Sequence, residues 1–346
     1  MDYLRKVFSF ESVRECPAVI NKPLSHDLKK LIFLFLFVSS LLHGQQVEQY
    51  SFGLLYDGLR NPAAIGRAES LRAIGIVRQQ WVGLSGSPSS QYGVIDVPLG
   101  MLSGGVGLSF QQSTLGAHKV QRAKLGYSFH KPFGDHSYVA IGTMIGMMMV
   151  EYDGNKLRTP SGIYGNGQIE HHDDLLSLVP FSGNTYGVDV GLYGRIQNLD
   201  IGLSVVNALA GKMQIDQLTY EPQRHFFGQL GYEFDWSGAI QLKTGVQVYA
   251  NSTILQSQAL IMGTWNEVYS LGATIRGYGK TSQESIGGIA GIKLNEHFQL
   301  FYSYEYNILP LRNVFDANHE LAIVYSLNKP IGKGRLPKVI YNPRYF

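Results

Sequence analysis

Segments of about ten residues in which large apolar side chains alternate with small or polar ones recur along this chain. A period of two puts the two sets on opposite faces of a β-strand. Between Val268 and Tyr278, Tyr269, Leu271, Ala273 and Ile275 share one face, and Ser270, Gly272, Thr274 and Arg276 share the other. Between Ala239 and Ala250, Ile240, Leu242, Val246 and Val248 oppose Gln241, Lys243, Gly245 and Gln247. Between Lys119 and His130, Ala123, Leu125, Tyr127 and Phe129 oppose Arg122, Lys124, Gly126 and Ser128. Between His297 and Asn307, Tyr302, Tyr304 and Tyr306 oppose Gln299, Ser303 and Glu305, with Phe301 breaking the pattern.

Such alternation fits a soluble antiparallel sandwich or an outer-membrane barrel. Charges on the small-residue face, strand after strand, favour a barrel with a polar lumen. So do large aromatics at strand ends, where membrane girdles need them. Composition agrees: charged residues are only 16% against roughly 25% in soluble domains. The 40 glycines argue against a helical fold, where each costs about 1 kcal/mol relative to alanine. After residue 44, no segment holds the roughly 18 consecutive apolar residues of a membrane-spanning helix.

The chain start resembles a targeting segment. Lys29 and Lys30 precede the apolar run Leu31 to Val38, and small or polar residues follow up to Gly44 and Gln45. The run is too short to span a bilayer and fits a signal peptide cleaved near Gly44. Residues 1–28 are polar and too long for an ordinary leader start. An upstream mis-called start codon and an unusually long n-region both explain them. Removing residues 1–44 takes six of the 29 basic and four of the 26 acidic residues, leaving 23 and 22. The mature chain is therefore nearly neutral, and no basic field attracts nucleic acid. The single cysteine, Cys16, lies before the apolar run, so the mature chain carries no thiol. That excludes disulfides, zinc–cysteine sites and cysteine nucleophiles.

The pattern predicts an all-β, antiparallel up-and-down transmembrane barrel of about 14 strands, placed in the outer membrane and its lipid. The strands fall near 70–80, 90–97, 103–112, 119–130, 137–150, 184–195, 199–206, 223–235, 239–250, 254–265, 268–278, 284–293, 297–307 and 318–327. Alternate connections are short, and the other set includes the long ones at 151–183, 207–222 and 308–317. Short turns belong to the periplasm and long loops to the outside, and an even count returns both termini to the periplasm. The chain thus divides into residues 1–44 (signal peptide and upstream extension), 45–69 (periplasmic lead-in), 70–327 (barrel) and 328–346 (basic periplasmic tail). The tail holds Lys329, Lys333, Arg335, Lys338 and Arg344 with no acid, kept extended by Pro330, Pro337 and Pro343.

Several short blocks resemble the PorP/SprF family of type IX secretion system outer-membrane proteins of Bacteroidetes. They are Asn61-Pro62-Ala63-Ala64-Ile65-Gly66, Arg78-Gln79-Gln80-Trp81-Val82-Gly83, Ser87-Pro88-Ser89-Ser90-Gln91 and Pro98-Leu99-Gly100. Gly105-Val106-Gly107-Leu108-Ser109, Tyr127 to Gly134, His319-Glu320-Leu321 and the closing Asn342-Pro343-Arg344-Tyr345-Phe346 continue the match. Ala64 and Ile65 depart from the commoner aromatic–alanine pair. The resemblance spans about residues 50–346. It implies a protein that supports export or surface display of type IX cargo, including gliding adhesins. It also implies partners among the secretion machinery and peptidoglycan-linked periplasmic proteins, and a dedicated secreted adhesin.

Candidate partner-binding residues are Asn61, Pro62, Arg78, Gln79, Gln80 and Trp81, and in the tail Lys333, Arg335, Lys338, Arg344, Tyr345 and Phe346. The Arg78–Trp81 block either packs the lead-in against the first strand or contacts the machinery. Arg122, Lys124, Lys243 and Arg276 can face Glu233, Glu305 and Glu320 across a lumen that side chains alone do not fill. Such a lumen either holds a plug or client segment or is wet and crossed by ion pairs. His171-His172-Asp173-Asp174 looks like a metal cluster, but zinc prefers spaced ligands on fixed elements, and a solvated loop explains it. Asp153 with Asp173 and Asp174 lacks EF-hand spacing. Neither Ser182-Gly183 nor Gly86-Ser87 forms a nucleophile elbow, and Gly165-Asn166-Gly167 has no following lysine or helix. No catalytic residue or cofactor is expected. A passive channel or hydrophobic-substrate transporter is the competing function.

Overall fold

A computed structural model describes residues 48–68, 70–134, 136–165, 168–173, 176, 178–277, 285–308, 317–329 and 331. Eighteen strands are present among these. They are β1 (Arg72–Gln79), β2 (Ser89–Leu99), β3 (Gly104–Leu115), β4 (His118–Gly134), β5 (Ser137–Tyr152), β6 (Ile163–Gly165), β7 (Gln168–Glu170), β8 (Phe181–Ile196), β9 (Leu199–Ala210), β10 (Met213–Ile215), β11 (Leu218–Tyr220), β12 (His225–Ser237), β13 (Ile240–Ala250), β14 (Leu255–Trp265), β15 (Tyr269–Arg276), β16 (Ser285–Lys293), β17 (Phe298–Asn307) and β18 (Asn318–Ser326).

Fourteen of them close into one antiparallel barrel, each strand paired to its neighbours in the chain and β1 paired to β18. The closing seam runs from Arg72 opposite Ser326 to Gln79 opposite His319. These fourteen are the strands the alternation predicts, in the predicted order. The hairpins β6–β7 and β10–β11 lie inside two of the long loops and were not expected. Their strands of three residues are too short for a period to register.

The two faces of the wall are inverted relative to a soluble protein. Leu125 and Leu271 on the outer face are 64% and 71% exposed. The inward Ser128, Asp189, Gln258, Ser303 and Glu320 are buried. A sandwich would bury the leucines and wet the glutamate. A lipid-facing barrel does the reverse, so the sandwich alternative falls.

The lead-in departs from expectation. Residues 48–68 do not lie outside the barrel but run through its lumen. Glu48 is hydrogen-bonded by the Gln111 amide at 2.6 Å, near the β3–β4 hairpin at the long-loop end. The chain then passes through three short 3-10 turns, Ser51–Leu54, Asp57–Leu59 and Pro62–Ala64. At Leu71 it reaches the short-turn end, where its carbonyl accepts the Leu327 N–H at 2.9 Å. From there β1 climbs back. The barrel's first and last strands therefore share one end, as an even count requires. The first described residue, Glu48, lies at the opposite end. The physical reason is in the residues themselves: Tyr50, Phe52, Leu54 and Tyr56 are apolar and need cover. The interior of a wide barrel supplies it.

Candidate functional site: a plugged lumen

Burial of the lead-in is held by three kinds of contact. The first is apolar. Phe52, Leu54 and Tyr56 cluster with the inward-facing Ile74, Ile76, Leu260, Met262 and Ala322. Phe301, the residue that breaks the alternation of β17, points inward and meets Phe52 and Tyr56 edge to face at 6.2 and 6.3 Å between ring centroids. The pattern break marks a lumen that contains something apolar.

The second contact is a charge-balanced network almost wholly shielded from solvent. Arg78 reaches Glu305 at 2.6 Å and Glu320 at 2.7 Å, with side chains 0 to 1% exposed. Arg276 reaches the other Glu305 oxygen at 2.9 Å. Ser51 of the lead-in sits at the centre. Its N–H donates to Glu320 at 2.8 Å, and its hydroxyl donates to Glu305 at 2.8 Å. Its carbonyl accepts from the Gln258 amide at 3.0 Å. Two carboxylates and two guanidinium groups cancel, and the lead-in fills acceptor sites that the cations leave over. Without such pairing, each buried ion would cost several kcal/mol.

The third contact is steric. Asn61 caps the Pro62–Ala64 turn by accepting the Ala63 N–H at 3.0 Å, and its own amide donates to the Leu192 carbonyl at 2.8 Å. Proline at the first position of this turn has no N–H to satisfy. The turn lies flat on the wall because glycine lines it: a methyl group on Gly142 would overlap the backbone at Pro62 and Ala63. Gly105 meets Gly66 in the same way, and Gly66 has φ +67°. Below the turn, Asp57 pairs with Arg67 and accepts from Tyr193 at 2.9 Å and Gln229 at 2.8 Å. Arg67 also reaches Asp200 at 3.0 Å. Burial would raise the Asp57 carboxyl, but Arg67 beside it prevails and holds it below the usual carboxylate range. Glu48 behaves likewise: burial raises it, and Arg122 brings it below the usual range.

Two cavities flank the plug. One of about 470 Å³ lies at the long-loop mouth, with Glu48 and Gln49 in its lining. The other, about 320 Å³, is lined by Leu55, Tyr56, Lys243, Lys293 and Phe301 near the short-turn end.

The predicted site residues separate. Asn61, Pro62 and Arg78 are buried in the plug and its anchor. The Gln79 amide donates to Ser87 at 2.7 Å, and the Gln80 N–H to the Pro88 carbonyl at 2.9 Å. Trp81 stands at the mouth. Of the two roles open to the Arg78–Trp81 block, packing the lead-in describes Arg78. Lys333, Arg335, Lys338, Arg344, Tyr345 and Phe346 lie outside the described residues, as do residues 1–47. Of the expected luminal pairs, Lys243–Glu233 forms at 2.9 Å, as does Arg276–Glu305. Arg122 instead meets Glu48 at 3.3 Å and Lys124 meets Asp189 at 2.5 Å. In the long loop, His171 bonds Tyr164 at 3.0 Å and His172 pairs with Glu170 at 3.1 Å. Among the described residues no group of three or more His, Cys, Asp or Glu could hold a metal. Sequence reasoning missed Ser51 and Asp57. Nothing local distinguishes them, because their partners lie far along the chain.

Residues 42–325 match the family described as type IX secretion system membrane protein PorP/SprF. The chain belongs to the PorP/SprF family. It is therefore a membrane protein of the type IX secretion system, and its closed barrel sits in the outer membrane. No curated protein matches it. Among solved structures it is similar to Omp33 of Acinetobacter baumannii, at 8% identity and TM-score 0.41 over 74% of this chain and 97% of that one. A Pseudomonas aeruginosa FadL homologue gives 10% identity and 0.40 over 77% and 92%. A mutant of the TodX monoaromatic hydrocarbon channel gives 9% and 0.43 over 82% and 95%. Within the PorP/SprF chain, the blocks at 61–66, 78 and 320 all converge on the plug.

Proposed function

We propose that the protein is a non-enzymatic component of the type IX secretion system that supports export or surface attachment of cargo proteins such as adhesins. The observation that carries this reading is the filled lumen. A barrel built for diffusion keeps a water-filled path from end to end. Here the path is occupied by residues 48–68, pinned at Ser51, Asp57 and Asn61. In this reading the short turns face the periplasm, and the barrel works through surfaces rather than through its bore. The machinery and peptidoglycan-linked proteins dock from that side. The basic tail, with Lys333, Arg335, Lys338, Arg344, Tyr345 and Phe346, is the docking segment there. Gln79, Gln80 and Trp81 belong to the opposite mouth. Asn61, Pro62 and Arg78 hold the plug.

The second reading, a passive channel or hydrophobic-substrate transporter, draws on the cavities on either side of the plug. Liposome swelling separates the two. The purified protein is expected to swell liposomes no faster than lipid alone, and to co-purify with the C-terminal region of its cargo. Swelling at the rate of an open porin, without cargo retention, would establish the channel. Deleting residues 329–346 is expected to abolish capture of periplasmic partners while leaving the barrel folded. Unchanged capture would remove the tail from the mechanism.

A further inference from the structure

The cavity at the long-loop mouth is more than space left over by the plug. Its volume of about 470 Å³ falls in the range of small-ligand sites, roughly 300–1,000 Å³. We infer that it is a binding cup for the end of a neutral, hydroxyl-rich ligand, a saccharide chain.

Charge is the first reason. Both cations in its lining are already paired, Arg122 with Glu48 at 3.3 Å and Arg276 with Glu305 at 2.9 Å. A ligand with a formal charge would find no counter-charge there. What remains sets the amides and hydroxyls of Gln80, Asn207, Gln223 and Thr114 among apolar surface from Leu115, Val120, Met148 and the rings of Tyr152 and Tyr220, the mixture that a sugar ring with its polar rim and apolar face needs. The amides and hydroxyls both donate and accept, as a polyol requires. Two buried nitrogens of the lining, His118 Nε2 and Arg122 Nε, have no hydrogen-bond partner in the protein. Buried polar atoms are rarely left so without a ligand or water to meet them.

Trp81 is the second reason. It has φ +51°, a left-handed conformation that is strained for a bulky residue. The strain is held in place. Its N–H donates to Asn318 Oδ1 at 3.0 Å, and the Asn318 amide donates to Glu305 at 3.1 Å. The plug's own anchor thus fixes a tryptophan in the wall of the cup. An indole face is a platform for the apolar face of a pyranose ring.

A polypeptide fits less well. The barrel wall is closed, and the only unpaired edges among the described strands are the three-residue ones of β6–β7 and β10–β11, too short to seat an added strand. A peptide end carries charge, and the cup's cations are taken. The floor at Glu48 and Gln49 favours a ligand that enters end-on.

The test uses the full-length protein in lipid nanodiscs, free of sugar-based detergent. Trp236 and Trp265, 69% and 54% exposed, are replaced by phenylalanine so that Trp81 alone reports. Maltotriose, cellotriose and chitotriose are titrated alongside a tetrapeptide capped at both ends. At least one trisaccharide is expected to shift the Trp81 emission saturably, with Gln223→Ala and Thr114→Ala weakening it about tenfold. Calorimetry on Trp81→Ala is expected to show the same loss, while the heat-modifiable gel shift of a folded barrel is kept. The inference is overturned if no trisaccharide binds at about 10 mM, if the capped peptide binds in their place, or if Trp81→Ala binds as tightly as the parent. Occupancy of the cup by the chain's own residues before Glu48 would appear as the first of these outcomes.

Discussion

Ser51 and Glu320 lie 269 positions apart, yet the backbone N–H of one donates to the carboxylate of the other at 2.8 Å. That contact joins the first turn among the described residues to β18. It also places a buried carboxylate where only an exact count of donors keeps it satisfied. Arg78 supplies one of them at 2.7 Å.

Removing Arg78 leaves Glu305 and Glu320 with one cation between them. Arg78→Met is expected to destabilise the plugged barrel by about 3–5 kcal/mol, because an uncompensated buried charge remains. Adding Glu320→Gln should recover a large part of the loss, since the charges balance again. Thermal unfolding in detergent, followed by the gel shift of the folded barrel, checks both. Equal stability of Arg78→Met and the parent would remove the network from the plug's anchor.

Gly142 tests the steric contact. Gly142→Val puts side-chain atoms where the Pro62–Ala63 backbone lies. Overpacking of this kind costs about 1–3 kcal/mol, and the plug is the part that can move. The variant is expected to show protease cleavage within residues 48–68 and measurable solute flux in liposomes. Gly288→Val, at a position with nothing within 4 Å, is the control and should behave as the parent.

The plug's response to pH follows from Asp57 and Glu48. Burial raises both carboxyls, but Arg67 and Arg122 bring them below their ordinary values when folded. Their contribution is therefore fully present above the unfolded carboxylate value, about 4. It is lost only as pH falls through the lower, folded one. Intrinsic-rate-corrected hydrogen exchange in residues 50–66 should be flat from about pH 8 to pH 5 and rise only below about pH 4. Asp57→Asn should remove part of that acid transition. Loosening near neutrality would contradict the assignment.

Gln49 and Gln256 touch through their amide groups, one on the lead-in and one on β14. Cys16 is the single cysteine of the sequence, so in a Cys16→Ser background the pair Gln49→Cys and Gln256→Cys cross-links without competition. A short bis-maleimide, which spans the reach of two glutamine side chains, should give a shifted band on a denaturing gel and a barrel with unchanged or lower flux. Absence of the cross-link in folded protein would place the lead-in elsewhere.

The wall was legible because its rule is local. Leu125 outward and Arg122 inward on β4 follow from parity alone, and the same parity counted fourteen strands. The lead-in was not legible, because everything that holds it is distant. Asn61 bonds the carbonyl of Leu192, 131 residues away, and Arg78 reaches Glu305 across 227. Residues 45–69 look polar by composition, and only the Tyr50, Phe52, Leu54, Tyr56 series signals burial. Phe301 was a second local clue. An aromatic on the lumen side of a strand asks what it packs against, and the answer lay at the other end of the chain. Asn61, Pro62 and Arg78, singled out with the family-like blocks, make their contacts inward, within the barrel.

The lead-in is continuous with β1 through Leu71, so stopper and vessel are one molecule. A separate stopper would be governed by its supply and would leave as it became scarce. A tethered one has an effective concentration fixed by its tether, of the order of millimolar for short flexible links. Its occupancy is then the same whether the outer membrane holds few copies or many. Each barrel arrives with its own seal, in fixed one-to-one proportion, and no second gene product has to be matched to it.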